Sequence, residues 1–178
     1  MTHKLENPAR VAELNPADTL RRIGLTDGDA LCDIGAGTGI FSLAAAALTG
    51  GTIYAAEISA PMLELLRERA LAFSNIVVTE GMKAVPSSGC QAALMCTVLH
   101  EVEDAQGMLK EVRRVLTPNG RFAVIEFHKR RTPMGPPPEH RLDSAQVLRM
   151  AQGQGFTLAE EFELGENFYC MVFTPIHI

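Results

Sequence analysis

One stretch constrains this chain more than any other: Leu31-Cys32-Asp33-Ile34-Gly35-Ala36-Gly37-Thr38-Gly39-Ile40-Phe41. A short apolar run, Ala30 to Ile34 with Asp33 inside it, stops at alternating glycines, and a helix-forming run from Phe41 to Leu48 follows at once. Strand, glycine turn and helix bring backbone N–H groups close to a ligand, and glycine is needed where a Cβ would fill the ligand's space. A tight connection with no ligand is the plainer alternative. Asp33 argues against it, because a carboxylate in an apolar strand needs a partner or a purpose.

A second feature follows about 20 residues on. Thr52-Ile53-Tyr54-Ala55-Ala56 reads as the next strand, and Glu57 ends it. In nucleotide-binding α/β folds an acid at this place accepts hydrogen bonds from ribose hydroxyls. Dinucleotides and S-adenosylmethionine are both bound this way, and spacing separates them. The dinucleotide fingerprint G-x-G-x-x-G/A, read from Gly35, needs a small residue where Ile40 stands. Read from Gly37, its last position falls on Ser42 and its first glycine lies too far from the strand. The pattern is instead Asp33-x-Gly35-x-Gly37-x-Gly39, which resembles motif I of the class I S-adenosylmethionine-dependent methyltransferases.

Along the chain, strands and helices alternate. Asn15 and Pro16 open a helix to Ile23, stopped by Gly24. Ser59 caps a helix that runs to about Phe73, with Met62, Leu63, Leu65, Leu66 and Leu71 as its buried face. Ile76 to Val78 is a third strand and Cys90 to Thr97 a fourth. Asp104 to Leu116 is a helix ended by Thr117-Pro118-Asn119-Gly120, and Arg121 to Phe127 is a fifth strand. A proline-rich loop from Lys129 to Asp143 leads to a short helix, Ser144 to Gln152. Phe156 to Leu164 and Phe168 to Thr174 close the chain as a hairpin. Alternation predicts an α/β fold with a parallel sheet covered on both faces, and the hairpin adds an antiparallel strand. That combination matches the Rossmann-like, doubly wound, seven-stranded fold of the class I methyltransferases, as one domain over residues 1–178. The resemblance runs from Leu14 to Pro175. It is closest to small methyltransferases similar to the ubiquinone and menaquinone C-methylating family. Besides motif I, it is carried by Val98-Leu99-His100-Glu101-Val102 and by Leu116-Thr117-Pro118-Asn119-Gly120-Arg121.

The resemblance implies an enzyme that transfers a methyl group from S-adenosylmethionine to a small molecule, leaving S-adenosylhomocysteine. Gly35, Ala36, Gly37 and Gly39 would form the loop beside the methionyl part. Asp33 would help hold its amino group, Glu57 would take the ribose hydroxyls, and Ile58 and Met62 would flank the adenine. Many relatives carry an acid after the glycine that follows strand three. Here Glu80-Gly81-Met82-Lys83 puts Met82 in that place, so the adenine contact falls to backbone near Gly81 and Met82 or to Glu80. Thr97 ends strand four beside the cofactor. His100, Glu126 and His128 stand at the carboxyl edge, where ligands bind in doubly wound sheets, and are the catalytic candidates. His100 titrates near neutral pH, and Glu126 inside an apolar strand needs a partner.

The loop over residues 129–143 reads as part of a substrate lid, with Arg130, Arg131, His140 and Arg141 as candidates for holding an anionic group. Residues 1–20 are expected to form a small cap over the same cleft. The plain alternative is a solvated loop with local ion pairs.

A net charge of −5 gives no support to nucleic-acid binding, and no Asn/Asp-Pro-Pro-Tyr/Phe motif follows strand four. No apolar run approaches the roughly 20 residues of a membrane span. The four cysteines lack CxxC spacing and read as reduced, buried thiols rather than a metal site, as in a cytoplasmic protein. A homodimer is compatible with the chain. Two other readings remain: a nicotinamide-dependent oxidoreductase, and a non-catalytic S-adenosylmethionine-binding protein that acts through a partner.

Overall fold

Seven strands form one sheet in the order β3-β2-β1-β4-β5-β7-β6, and this order creates the site. The structure is a computed structural model describing residues 2–176, with side chains from Lys4 onward, so Met1 and the first side chains of the expected cap lie outside the described residues. The strands are β1 (Leu31–Ile34), β2 (Ile53–Glu57), β3 (Ile76–Glu80), β4 (Cys90–Cys96), β5 (Leu116–Phe127), β6 (Phe156–Leu164) and β7 (Phe168–Pro175). All neighbouring pairs from β3 to β5 are parallel, and β7 runs antiparallel to both β5 and β6. The helices are α1 (Thr2–Leu5), α2 (Pro8–Leu14), α3 (Pro16–Arg22), α4 (Ile40–Leu48), α5 (Ala60–Ala70), α6 (Ala105–Val115) and α7 (Ser144–Gln152).

Strand alternation divides the core between two faces. Leu31, Ala92, Leu94, Ala123 and Ile125 share one cluster with Leu20, Phe41 and Ala45. Their strand neighbours Cys32, Ile34, Ala93, Met95, Phe122 and Val124 share the other with Leu109, Val112 and Val147. Covered on both sides, the central strands are nearly all apolar, as a parallel sheet requires. Phe122 anchors the second face, its ring centroid 5.4 Å from that of Phe156 and 6.2 Å from that of Phe173. Each such buried ring stabilises the fold by about 1.5–3 kcal/mol.

Three local differences from expectation have physical causes. The polar N-terminal stretch forms two short helices, because the Asn7 side chain caps α2 by accepting from Ala9 N at 2.9 Å and Pro8 takes the first turn. α5 ends at Ala70, three residues early. Leu71, expected on its buried face, is 87 % exposed. β5 begins at Leu116, before Pro118. Its pairing with β4 jumps from Cys90↔Leu116 to Ala92↔Arg121, so Thr117 to Gly120 bulge out between two paired segments.

Because β1 lies between β2 and β4, successive connections leave it in opposite directions. A crevice opens there, outside the carboxyl ends of β1 and β4.

Candidate functional site

The glycine turn leaves β1 with Gly35, Gly37 and Gly39 at φ of +69°, +56° and +85°. A Cβ on Gly35 would stand 2.5 Å from Val98 Cγ2, and one on Gly39 would stand 2.7 Å from Leu66 Cδ1. These two glycines are therefore required by the packing of the protein on itself. A Cβ on Gly37 would meet only Leu5 Cδ1 at 3.4 Å and Gly35 O at 3.9 Å. Gly37 is thus the position at which backbone is bare toward the crevice, with α1 above it. Ala36 is buried beneath, packed with Ala55 and Leu66.

Glu57 ends β2 and ties this turn to the next one. Its Oε2 accepts from Gly37 N at 2.8 Å, and its Oε1 accepts from Ile58 N at 2.7 Å and Ser59 N at 2.8 Å. Three of about four acceptor positions on the carboxylate are occupied, which fixes its orientation and leaves capacity on Oε2. Ser59 opens α5, but its own hydroxyl makes no capping bond and the Glu57 carboxylate takes its N–H instead. Next to Glu57, Ile58 is 81 % exposed. Its Cγ2 would lie 3.7 Å from a Cβ on Gly81. An anchored acid beside an uncovered apolar side chain and a bare glycine fits a ribose with its purine. Met62 lies on the inner side of α5, 7 % exposed. Met82 departs from the adenine place: its side chain is turned into the core, Sδ 3.7 Å from Cys32 Sγ, and its carbonyl accepts from Arg114 Nη2.

Asp33 is 2 % exposed and accepts from Ser42 Oγ at 2.6 Å. Burial raises its pKa to about 6 against the opposing hydrogen bond of Ser42, and the charge of Glu57 adds to the rise. Ser42 was not among the expected site residues. The acid inside the apolar run nine residues earlier is the feature in the sequence that could have pointed to it.

Across the crevice, Glu126 of β5 is fully buried and holds His100 of the turn after β4. Its Oε1 accepts from His100 N at 3.2 Å, and its Oε2 lies 2.7 Å from His100 Nδ1. Nε2 is left for other partners, with Glu101 Oε1 3.7 Å away. Burial pulls the imidazole pKa down. The hydrogen bond and charge of Glu126, with the charge of Glu101, outweigh this and raise it above the ordinary value, while Arg141 opposes them. His128 is not part of this pair. Its Nε2 is held by Glu163 of β6, and its ring lies 5.5 Å from that of Tyr169.

The loop cations separate into two kinds. Arg130, Arg131 and His140 are exposed. Arg141, expected beside an anionic group, is instead 4 % exposed and clasps the loop from inside. It donates to the carbonyls of Pro136, His128, Arg130 and Met134 and to Thr132 Oγ1, at 2.7 to 3.3 Å. Its donors are spent on the chain's own backbone, because a loop of prolines has many carbonyls and few N–H groups to pair them.

Taken together, a doubly wound sheet, a ligand crevice at its switch point and an anchored second-strand acid define a class of nucleotide-cofactor enzymes. Comparison with known proteins narrows the class. Residues 32–124, just over half of the chain, match the family described as "Methyltransferase domain". The chain is 40 % identical over 114 residues to the demethylmenaquinone methyltransferase of Tropheryma whipplei, covering 62 % of this chain and 47 % of that protein. It is 32 % identical over 124 residues to the ubiquinone/menaquinone biosynthesis C-methyltransferase of Hahella chejuensis, covering 65 % and 50 %. The crystal structure of a SAM-dependent methyltransferase from Aquifex aeolicus superposes with a TM-score of 0.89 at 25 % identity, covering 96 % of this chain and 94 % of that one. This chain belongs to the methyltransferase-domain family and has the fold of the class I S-adenosylmethionine-dependent methyltransferases. It spans about half the length of the curated relatives it matches.

Proposed function

We propose that this enzyme transfers a methyl group from S-adenosylmethionine to a small aromatic acceptor that gives up a proton as it is methylated. The observation that carries this reading is the convergence on one crevice of the bare Gly37 turn, the anchored Glu57 and the buried Glu126–His100 pair. The names of the curated relatives, which methylate quinone precursors, support an aromatic acceptor.

Bound in the crevice, S-adenosylmethionine supplies a methyl carbon activated by a sulfonium. The chain's own part is positioning and exclusion of water. Gly35, Ala36, Gly37 and Gly39 let backbone line the methionyl side, and Asp33 carries negative charge beneath it. Glu57 would take the ribose hydroxyls on Oε2, with Ile58 and Met62 along the base and the backbone of Gly81 and Met82 at its edge. Thr97 lies at the end of β4, between this half and the acceptor half. The crevice holds the acceptor in line with the bond that breaks. His100 in its neutral form takes the acceptor's proton on Nε2, while Glu126 holds Nδ1–H and stabilises the imidazolium. His128, joined to Glu163, and the exposed Arg130, Arg131 and His140 lie around the mouth, where an anionic acceptor group would meet the cations.

Titration calorimetry with S-adenosylmethionine, S-adenosylhomocysteine and NAD tests the reading. Both sulfur ligands are expected to bind and NAD is not. Binding of NAD alone refutes the proposal in favour of the oxidoreductase. Binding of the sulfur ligands without turnover on a panel of hydroxyaromatic and hydroquinone acceptors favours the partner-dependent binding protein.

A further inference from the structure

Arg10 comes from a polar stretch of α2, yet it is only 6 % exposed. Its guanidinium donates to Leu5 O at 2.9 Å and to Thr97 Oγ1 at 3.2 Å, lies 3.8 Å from Cys96 Sγ and stands 5.8 Å from the centroid of the Phe168 ring. A buried guanidinium needs such partners, and its flat fork can serve several at once. Two of them lie at the carboxyl end of β4, at the switch point of the sheet.

Thr97 is itself unusual. Its φ is +56°, and among the described residues it is the one β-branched side chain with positive φ. Such a conformation persists only where its surroundings over-determine it. One restraint is the bond from Thr97 N to Ile125 O at 2.7 Å, and the other is Arg10 on the hydroxyl. The turn this creates sets the next three residues. Val98 packs on the glycine loop at Gly35, and His100 reaches Glu126 through both its N–H and its ring. Just upstream of Arg10, Leu5 covers Gly37, and Glu6 pairs with Arg69, which also donates to Thr38 O at 3.0 Å. The same short segment therefore touches the cofactor loop at one end and the acceptor half at the other.

We propose that Arg10 is a positioning residue of the methyl-transfer site: by holding Thr97 in its left-handed turn it aligns Val98 on the glycine loop and His100 on Glu126, and so joins the N-terminal segment to both halves of the site. The role given to that site rests on the proposed function. The link from Arg10 to His100 does not, and it can be read without any ligand.

The test uses the full chain with isotope-labelled histidine. The His100 titration, amide exchange at Val98, Leu99 and His100, and S-adenosylhomocysteine affinity are measured in Arg10→Gln, Arg10→Lys and Thr97→Val. His100 faces Glu126 and Glu101 on one side of its balance and Arg141 on the other, and none of these is altered. His128 and His140 serve as controls. In Arg10→Gln and in Thr97→Val, which replaces the hydroxyl by a methyl group, the His100 midpoint is expected to fall toward the ordinary imidazole value. The three amides are expected to exchange about tenfold faster or more, as local opening becomes easier. Affinity for S-adenosylhomocysteine is expected to fall several-fold, and Arg10→Lys to restore part of each change. Thr97→Val keeps the side-chain shape, so it decides the matter if Arg10→Gln does not fold. An unchanged His100 midpoint with unchanged amide protection in a folded variant overturns the proposal. Wild-type protein that binds no S-adenosylhomocysteine counts against the proposed function and leaves the ligand-free readings to judge Arg10.

Discussion

Replacing Glu57 by Ala removes one carboxylate with two tasks, and the structure separates their sizes. The first task is local. Gly37 N, Ile58 N and Ser59 N all lose their acceptor. Ile58 is 81 % exposed, so water reaches the backbone there more readily than at the turn beneath Leu5. All three bonds are part-buried, and their loss together is expected to lower folding stability by about 1–3 kcal/mol. The second task is the ribose. A hydrogen bond to a charged acceptor contributes about 1.5–3 kcal/mol, which corresponds to roughly a 10- to 150-fold loss of affinity. Urea unfolding without ligand reads the first quantity. Calorimetric titration with S-adenosylhomocysteine, at a temperature where the variant is folded by circular dichroism, reads the second. A stability loss with an unchanged dissociation constant would refute the ribose assignment and leave Glu57 as a turn anchor.

The glycine turn predicts a contrast: both Gly39→Ala and Gly37→Ala carry positive-φ strain of about 1–2 kcal/mol, but Gly39→Ala also meets Leu66 at 2.7 Å and is expected to lose more stability in urea, whereas Gly37→Ala adds a loss of S-adenosylhomocysteine affinity in calorimetry. Asp33 has a folded pKa raised from 3.8 to about 6, so its contribution to stability is fully present below pH 3.8 and is lost as pH rises through about 6. Asp33→Asn is accordingly expected to stabilise the ligand-free protein above pH 6, by up to about 3 kcal/mol, with the gain vanishing in acid, as read by thermal melts across pH. Because Glu126 raises the His100 pKa, methyl transfer is expected to increase with pH through that raised value, and in Glu126→Gln the increase moves to lower pH in an initial-rate profile. Arg141→Ala strands the carbonyls it serves and is expected to open residues 129–143 to limited proteolysis before the sheet unfolds.

The sheet and the glycine-turn half of the candidate site were legible in the amino-acid order because their signals are local. Apolar runs of strand length, glycines at alternate positions and an acid one strand later each constrain backbone within a few residues, and chain topology then permits few sheets. Asp33, Gly37 and Glu57 meet because β1 and β2 pair in parallel register, Asp33 against Ala55. The acceptor half was legible only as residue types near one edge. That His100 and not His128 joins Glu126 depends on the turn after β4, whose left-handed Thr97 follows no local preference of threonine. Arg141 shows the same limit: as a cation in a proline loop it reads as a ligand, and only the count of carbonyls around it makes it a clasp. Arg10 has no sequence signal at all, since its burial is imposed by strands 86 and more residues away. Local backbone preference is written in neighbouring residues and can be read there. Which charge is buried, and against what, depends on solvent exclusion by distant segments, and only the assembled tertiary structure decides it.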